Sequence, residues 1–136
     1  MIKFLKNIFK NILKASNTEK IISVRGATTV TNDSIQEIEN KTKSLLTEIL
    51  STNNIQIRDI LFVMFSSTAD LTSHYPATVA RTQLGLTQTA LFSTIEPNID
   101  GSLKKCIRIL LVFKTQSNPK IPKYIYQEDA KNLRND

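Results

Sequence analysis

Cysteine occurs once in this chain, at Cys106, so no disulfide can close within it, and a lone thiol fits a reducing compartment. Histidine also occurs once, at His74, and one Cys with one His is too few for a structural zinc site. Three glycines are present, and none belongs to a glycine-rich phosphate loop. No apolar run is long enough to span a bilayer, and there is no internal repeat or low-complexity tract. No serine, cysteine or lysine stands beside a base in a recognisable nucleophile motif. These absences argue against a disulfide scaffold, a zinc-centred enzyme, a phosphate-loop enzyme and a membrane-spanning protein. Neither a metal nor a cofactor is expected.

What is there begins with charge. The net charge is +6, but residues 1–20 hold five lysines against Glu19 and so carry +4, which leaves +2 for the rest. A nearly neutral main body argues against a nucleic-acid-binding domain, which needs a basic face. By length the 136 residues make one domain with a small core, which oligomerisation would help. The division expected is a basic amphipathic extension over 1–20 and a folded domain over 21–136.

Residues 2–14 place Ile2, Phe4, Leu5, Ile8, Phe9, Ile12 and Leu13 at helical spacing, with lysines on the other side. Three readings compete: a membrane-surface helix, an organelle-targeting segment, or an accessory helix that packs on its own domain. Docking is the leading one; lysine without arginine, and little serine, count against targeting. Ala15 to Thr18 reads as a linker. A first strand over Ile21–Val30 carries Arg25 near its end and is broken by Gly26. Ser34 with Glu37, or Asp33 with Gln36, caps a helix whose stripe is Ile35, Ile38, Thr42, Leu45, Leu46, Ile49 and Leu50. Its charged residues Glu37, Glu39, Lys41 and Lys43 read as solvation.

Ile60–Ser66 is apolar on both faces and reads as a buried strand. Tyr75-Pro76 starts a short helix that Gly85 closes, and His74 reads as a loop histidine. Thr89–Ile95 is a third strand, and Leu103–Phe113 a long central one, with Ser117-Asn118-Pro119 turning into a hairpin strand at Lys123–Tyr126. Glu128–Arg134 reads as a polar tail, poorly ordered at its end. The order β-α-β-α-β-β-β predicts an α+β fold, a mixed sheet with helices on one side.

One charge interrupts the most apolar run, Ile107–Phe113: Arg108. A guanidinium stays charged and is costly to bury without an anionic partner. Arg25, Arg81, Glu96 and Tyr126 also fall at strand ends or in apolar surroundings. Arg and Tyr recognise carboxylates, and a lone Glu can orient a hydroxyl. The implied ligand is a small anion bearing a hydroxyl.

Four blocks carry a resemblance: Arg25-Gly-Ala-Thr-Thr-Val30; Tyr75-Pro-Ala-Thr-Val-Ala-Arg81; Glu96 with Asp100-Gly-Ser-Leu-Lys-Lys-Cys-Ile-Arg108; and Tyr126 with Leu133-Arg134. In sequence and spacing they resemble the Bacillus-type, AroH-class chorismate mutases over residues 21–134. The resemblance implies a homotrimer shaped as a pseudo-α/β-barrel, with sites between subunits, converting chorismate to prephenate for phenylalanine and tyrosine synthesis. It implies that Arg108 contacts the ether oxygen and a carboxylate, that Arg25 and Tyr126 hold the enolpyruvyl carboxylate, and that Glu96 accepts from the ring hydroxyl. It implies that Tyr75, Ala77, Thr78, Arg81, Leu91, Phe92 and Ser93 line the neighbouring wall, which Leu133 and Arg134 close. The reaction is a concerted [3,3] (Claisen) rearrangement without covalent catalysis. It asks only that the substrate be folded and that charge be placed where negative charge develops, which explains the missing catalytic dyad.

Thr78 stands where the family has a lysine, Ser93 replaces a cysteine and Tyr75 a phenylalanine. The first is expected to weaken long-range attraction for a dianion, the second to be mild. Two rivals remain: a trimer of this architecture that binds a small anion without turnover, and a membrane-attached scaffold resting on residues 2–14. The Ile-, Asn- and Lys-rich usage suggests AT-rich coding, so the compartment expected is the cytoplasm, or the stroma if the gene is plastid-borne.

Overall fold

The structure, a computed structural model, describes residues 1–15, 18–117 and 121–134, with the side chains of 13–15 excepted. The elements are α1 (Ile2–Ala15), β1 (Lys20–Thr29), α2 (Ile35–Thr52), a 3-10 turn (Ile57–Asp59), β2 (Ile60–Ser67), α3 (Pro76–Gln83), β3 (Ala90–Ile95), β4 (Cys106–Thr115), β5 (Ile125–Tyr126) and a 3-10 helix (Glu128–Leu133). Ser16 and Asn17 of the expected linker, and Asn118 and Pro119 of the expected hairpin turn, lie outside the described residues.

The five strands run in the order β3-β2-β4-β1-β5. β4 is central, antiparallel to both β1 and β2, while β1/β5 and β2/β3 pair in parallel, so the sheet is mixed. The expected β4–β5 hairpin is therefore not formed: β5 joins the far side of β1. Parallel neighbours need a crossover, and α2 and α3 lie on the connections from β1 to β2 and from β2 to β3.

Both helices cover one face. Val24 of β1, Val63 and Phe65 of β2, Ile109, Leu111 and Phe113 of β4 and Ile125 of β5 form one core with Leu45, Leu46 and Ile49 of α2 and Ala80 of α3. The alternation places Ile109, Leu111 and Phe113 on that face, so Arg108 and Leu110 point to the other. The α2 stripe holds at Ile38, Thr42, Leu45, Leu46 and Ile49, whereas Ile35 is exposed because it lies in the first turn, beyond the sheet. Ser34 caps α2 by accepting from the Glu37 amide, and the Glu37 carboxylate in turn accepts from the Asn32 amide.

Gly26 does not end β1. It pairs with Ile109 on one side and Ile125 on the other, and the strand runs on to Thr29. A Cβ there would stand 2.5 Å from the Ile125 carbonyl oxygen and 3.0 Å from Ile49 Cδ1. Its role is close approach: only a hydrogen lets β5 and α2 both reach this point of the sheet. Arg25 is consequently mid-strand rather than at a strand end.

The second face has no helix layer. β2 is not buried on both sides, since Phe62 is exposed on that open face, which Leu110 and Phe92 share. One end of the face is covered. The 3-10 helix folds over it, seating Ala130 and Leu133 on Ala27 and Cys106, with Tyr126 beside them. The segment expected to be a polar tail thus contributes a small second core.

Candidate active site

Pairing register gives a row of side chains across the open face. Arg108 is opposite Ser66 of β2 on one side and Ala27 of β1 on the other, and Ala27 is opposite Tyr126 of β5. The two small residues flanking Arg108 leave a floor beside its long side chain. Arg25 sits two positions along β1 from Ala27, opposite Leu110, and so projects to the same face. Diagonal neighbours of this kind lie about 7–8 Å apart at the backbone, within reach of one small ligand.

Glu96 follows β3 directly, with its amide bonded to the Ser67 carbonyl at 2.9 Å, which aims its side chain across β2. Its Oε1 lies 3.3 Å from Arg108 Nε, and the Glu96 side chain is 20% exposed against 42% for Arg108. Nε is buried, and the approach to Glu96 lacks hydrogen-bond alignment. The carboxylate therefore steadies the guanidinium by charge. Glu96 also borders a hollow of about 580 Å³ floored by Thr68 and Asp70 and walled by residues 97–104.

The turn into β4 fixes where Arg108 stands. Lys105 has φ of 47°, a left-handed conformation costly for a side chain with a Cβ. It is held there by the Asp70 carboxylate, which accepts the Lys105 amide at 3.0 and 3.1 Å, and by Lys105 Nζ donating to the Thr31 carbonyl at 2.7 Å. Thr68 Oγ1 accepts the Cys106 amide at 2.9 Å and donates to Asp70 at 2.5 Å. Burial pushes the Cys106 thiol above its usual range, against the opposing pull of Arg108. It is a neutral packing group under the arginine rather than a nucleophile.

Tyr124 is a site feature that sequence reasoning missed. Its ring lies under both guanidinium groups at the far edge, 5.1 Å from Arg25 and 5.9 Å from Arg134. The stack fixes two cations beside Tyr126 by cation–π attraction. Spacing alone held a clue: Tyr124 and Tyr126 alternate, so they share a face once a strand is assumed. Leu133 packs into the small second core, as noted, and Arg134 ends that helix over the site.

The remaining expected residues are elsewhere. Tyr75, Ala77, Thr78, Arg81 and Leu91 line a separate hollow of about 360 Å³ on the helix-covered side. Phe92 projects from β3 to the open face, and Ser93 borders another recess with His74 and Tyr75. The chain thus brings Arg25, Glu96, Arg108, Tyr126 and Arg134 to one group, and Tyr75, Ala77, Thr78, Arg81 and Leu91 to another. It does not join the two.

Asp33 supports the second group. Its carboxylate accepts from the Thr72 amide at 3.0 Å, the Thr72 hydroxyl at 2.8 Å and the Ser73 amide at 3.1 Å. These bonds, with the Thr72 amide foremost, hold its carboxyl below the ordinary range. They tie the start of α2 to the loop that delivers Tyr75, so Asp33 does not pair with Gln36 as a cap. Glu39 and Lys41 are likewise more than solvation, since Glu39 lies 3.6 Å from His74 and Lys41 bonds Glu128 at 2.6 Å.

A profile of the family described as chorismate mutase type I matches residues 21–136. The chain belongs to this family. It is 34% identical over 116 residues to chorismate mutase AroH of Bacillus subtilis (strain 168), covering 85% of this chain and 91% of that protein. It is 37% identical over 114 residues to chorismate mutase AroH of Thermus thermophilus, covering 83% and 93%. A solved chorismate mutase from Clostridium thermocellum superposes with a TM-score of 0.77 at 36% identity, over 82% of this chain and 99% of that one. The family match starts after α1, so that helix lies outside it.

Proposed function

We propose that this chain is a chorismate mutase, an isomerase that converts chorismate to prephenate in aromatic amino-acid biosynthesis. The observation that carries the reading is the Arg108–Glu96 pair at 3.3 Å on the open face, in one row with Ala27 and Tyr126. Arg108 meets the ether oxygen and a carboxylate, Arg25 and Tyr126 hold the enolpyruvyl carboxylate, and Glu96 accepts from the ring hydroxyl. As the ether bond breaks, negative charge grows on its oxygen beside a guanidinium already fixed by the strained turn. That contact strengthens towards the transition state, which is the requirement for raising kcat. No proton needs to move, which accords with a neutral, buried Cys106.

The working unit in this reading is a homotrimer. One chain carries two half-sites that line separate hollows, and its open face exposes Phe92, Phe62 and Leu110. A neighbour that covers this face would bring its own Tyr75, Ala77, Thr78, Arg81 and Leu91, with Phe92 and Ser93, to the Arg108 group. Leu133 and Arg134 would close over the ligand from the second core. Among the described residues, no helix is long and apolar enough to cross a membrane, and the compartment we assign is the cytoplasm, or the stroma if the gene is plastid-borne. The test is the loss of chorismate absorbance on adding purified protein. A folded protein that binds chorismate without consuming it would establish the rival reading of a small-anion-binding trimer.

A further inference from the structure

We propose that α1 is a membrane-surface anchor that lies in the headgroup layer of an anionic bilayer. The helix runs over Ile2–Ala15 with no acidic residue in its first turn or elsewhere. Ile2, Phe4, Leu5, Ile8, Phe9 and Ile12 are all exposed, from 37% for Ile8 to 73% for Ile2. At 100° per residue they fill about half of the helix circumference, and Lys3, Lys6 and Lys10 fall together on the other half.

Charge decides between occupants. A coiled-coil seam is narrower than this half-cylinder, whereas a helix that packs on a core shows a stripe of roughly 100° or more. An apolar half-cylinder fits a medium that wets one whole side, which is the boundary between acyl chains and headgroups. A second copy of α1 would cover the apolar half but leave the lysines without a single Asp or Glu from either helix to pair them. Docking on the folded body would offer the lysines no net negative surface, since the body beyond residue 20 is nearly neutral at +2. Anionic lipid supplies both an apolar layer and the opposite charge. The helix is too short and too charged to span, so it lies in the plane.

The test is co-sedimentation of the full chain with vesicles of phosphatidylcholine containing about one-third phosphatidylglycerol, against pure phosphatidylcholine. The anionic vesicles should bind it at least about tenfold better. Ile8→Glu/Phe9→Glu should abolish binding, and Lys6→Gln/Lys10→Gln should weaken it about 25-fold, at about fivefold per lysine. Chorismate turnover in solution should stay unchanged in both variants and on deleting residues 1–18, which shows the domain folded and separates this proposal from the catalytic one. Equal binding to neutral vesicles, binding that survives the paired glutamates, or a full chain left in the supernatant by both vesicle types would each overturn it. So would dissociation of the oligomer by the paired glutamates without vesicles, because a second copy would then be what covers the apolar face.

Discussion

Replacing Arg108 separates catalysis from stability. Its side chain is 42% exposed and meets Glu96 at 3.3 Å without hydrogen-bond alignment. A pair that open contributes about 0–1 kcal/mol to folding. For a domain of this size, losing it lowers Tm by about 5 °C at most. The catalytic term is larger. About half a unit of negative charge developing on the ether oxygen, about 3 Å from the cation, is worth about 3 kcal/mol at an effective dielectric of about 20. That is roughly a hundredfold in rate.

Three variants divide this figure. Citrulline at position 108 keeps the planar fork and two donor nitrogens but removes the cation, so kcat should fall at least about a hundredfold with a smaller change in substrate affinity. Arg108→Lys keeps the cation but loses the fork that serves a carboxylate and the ether oxygen together, and should also lose most activity. Arg108→Met packs on the sheet without charge or donors and should be folded and inactive. The assay is the decrease in chorismate absorbance at saturating substrate, with Tm measured on the same preparations. If Arg108 only stabilised the sheet, Tm would fall steeply and the best-packed variant would stay active. Full turnover by folded Arg108→Met would refute the mechanism.

Glu96→Gln should keep the fold and lose a moderate part of activity, and Glu96→Ala should lose more; equal turnover in all three proteins would remove Glu96 from the site. Light scattering at micromolar concentration should give three times the chain mass, and a monomer would contradict a site shared between subunits. Gly26→Ala should destabilise by about 3 kcal/mol, read by denaturant unfolding, because the obstructing atom is the Ile125 carbonyl oxygen and cannot swing aside. Asp33→Asn should loosen the 72–75 loop and raise KM more than it lowers kcat. The Asp33 carboxyl is depressed in the folded state, so its contribution is present above the ordinary carboxylate pKa and lost as pH falls through the lower folded value. The Tm difference between wild type and Asp33→Asn should be full at about pH 6 and shrink as the pH falls below the ordinary carboxylate range.

The elements were legible where one local pattern decided them. The α2 stripe, the proline start of α3, its glycine stop and the apolar run around Arg108 each follow from spacing within a single segment. Errors arose where a distant partner overruled the local signal. Gly26 reads locally as a break, but its missing side chain answers to β5, about a hundred residues on. Ser117 reads as a hairpin turn, but β1 already occupies the flank of β4 that a hairpin strand would need. Lys41 and Glu39 read as solvent charges because their partners Glu128 and His74 are remote in sequence. The candidate site residues were proposed as a set from family resemblance, while the clamp of Asp70 on Lys105 depends on a contact that no spacing rule encodes.

The position of Arg108 shows how the fold and the proposed chemistry constrain each other. A guanidinium in the middle strand is costly unless something anionic faces it, and Glu96 answers only part of that need, leaving Nε buried without an aligned bond. Further carboxylate bonds would lower the strand's energy but would occupy the donors that a substrate requires. Rigidity is supplied from behind instead. The left-handed Lys105, clamped by Asp70 and Thr31, and the thiol of Cys106 packed beneath the small second core hold the start of β4 without using the guanidinium itself. The strain is therefore stored at Lys105 rather than in the arginine, and in the proposed mechanism the cation is aimed before substrate arrives. Preorganisation of that kind is what lets a single charge act on a rearrangement that needs neither nucleophile nor base.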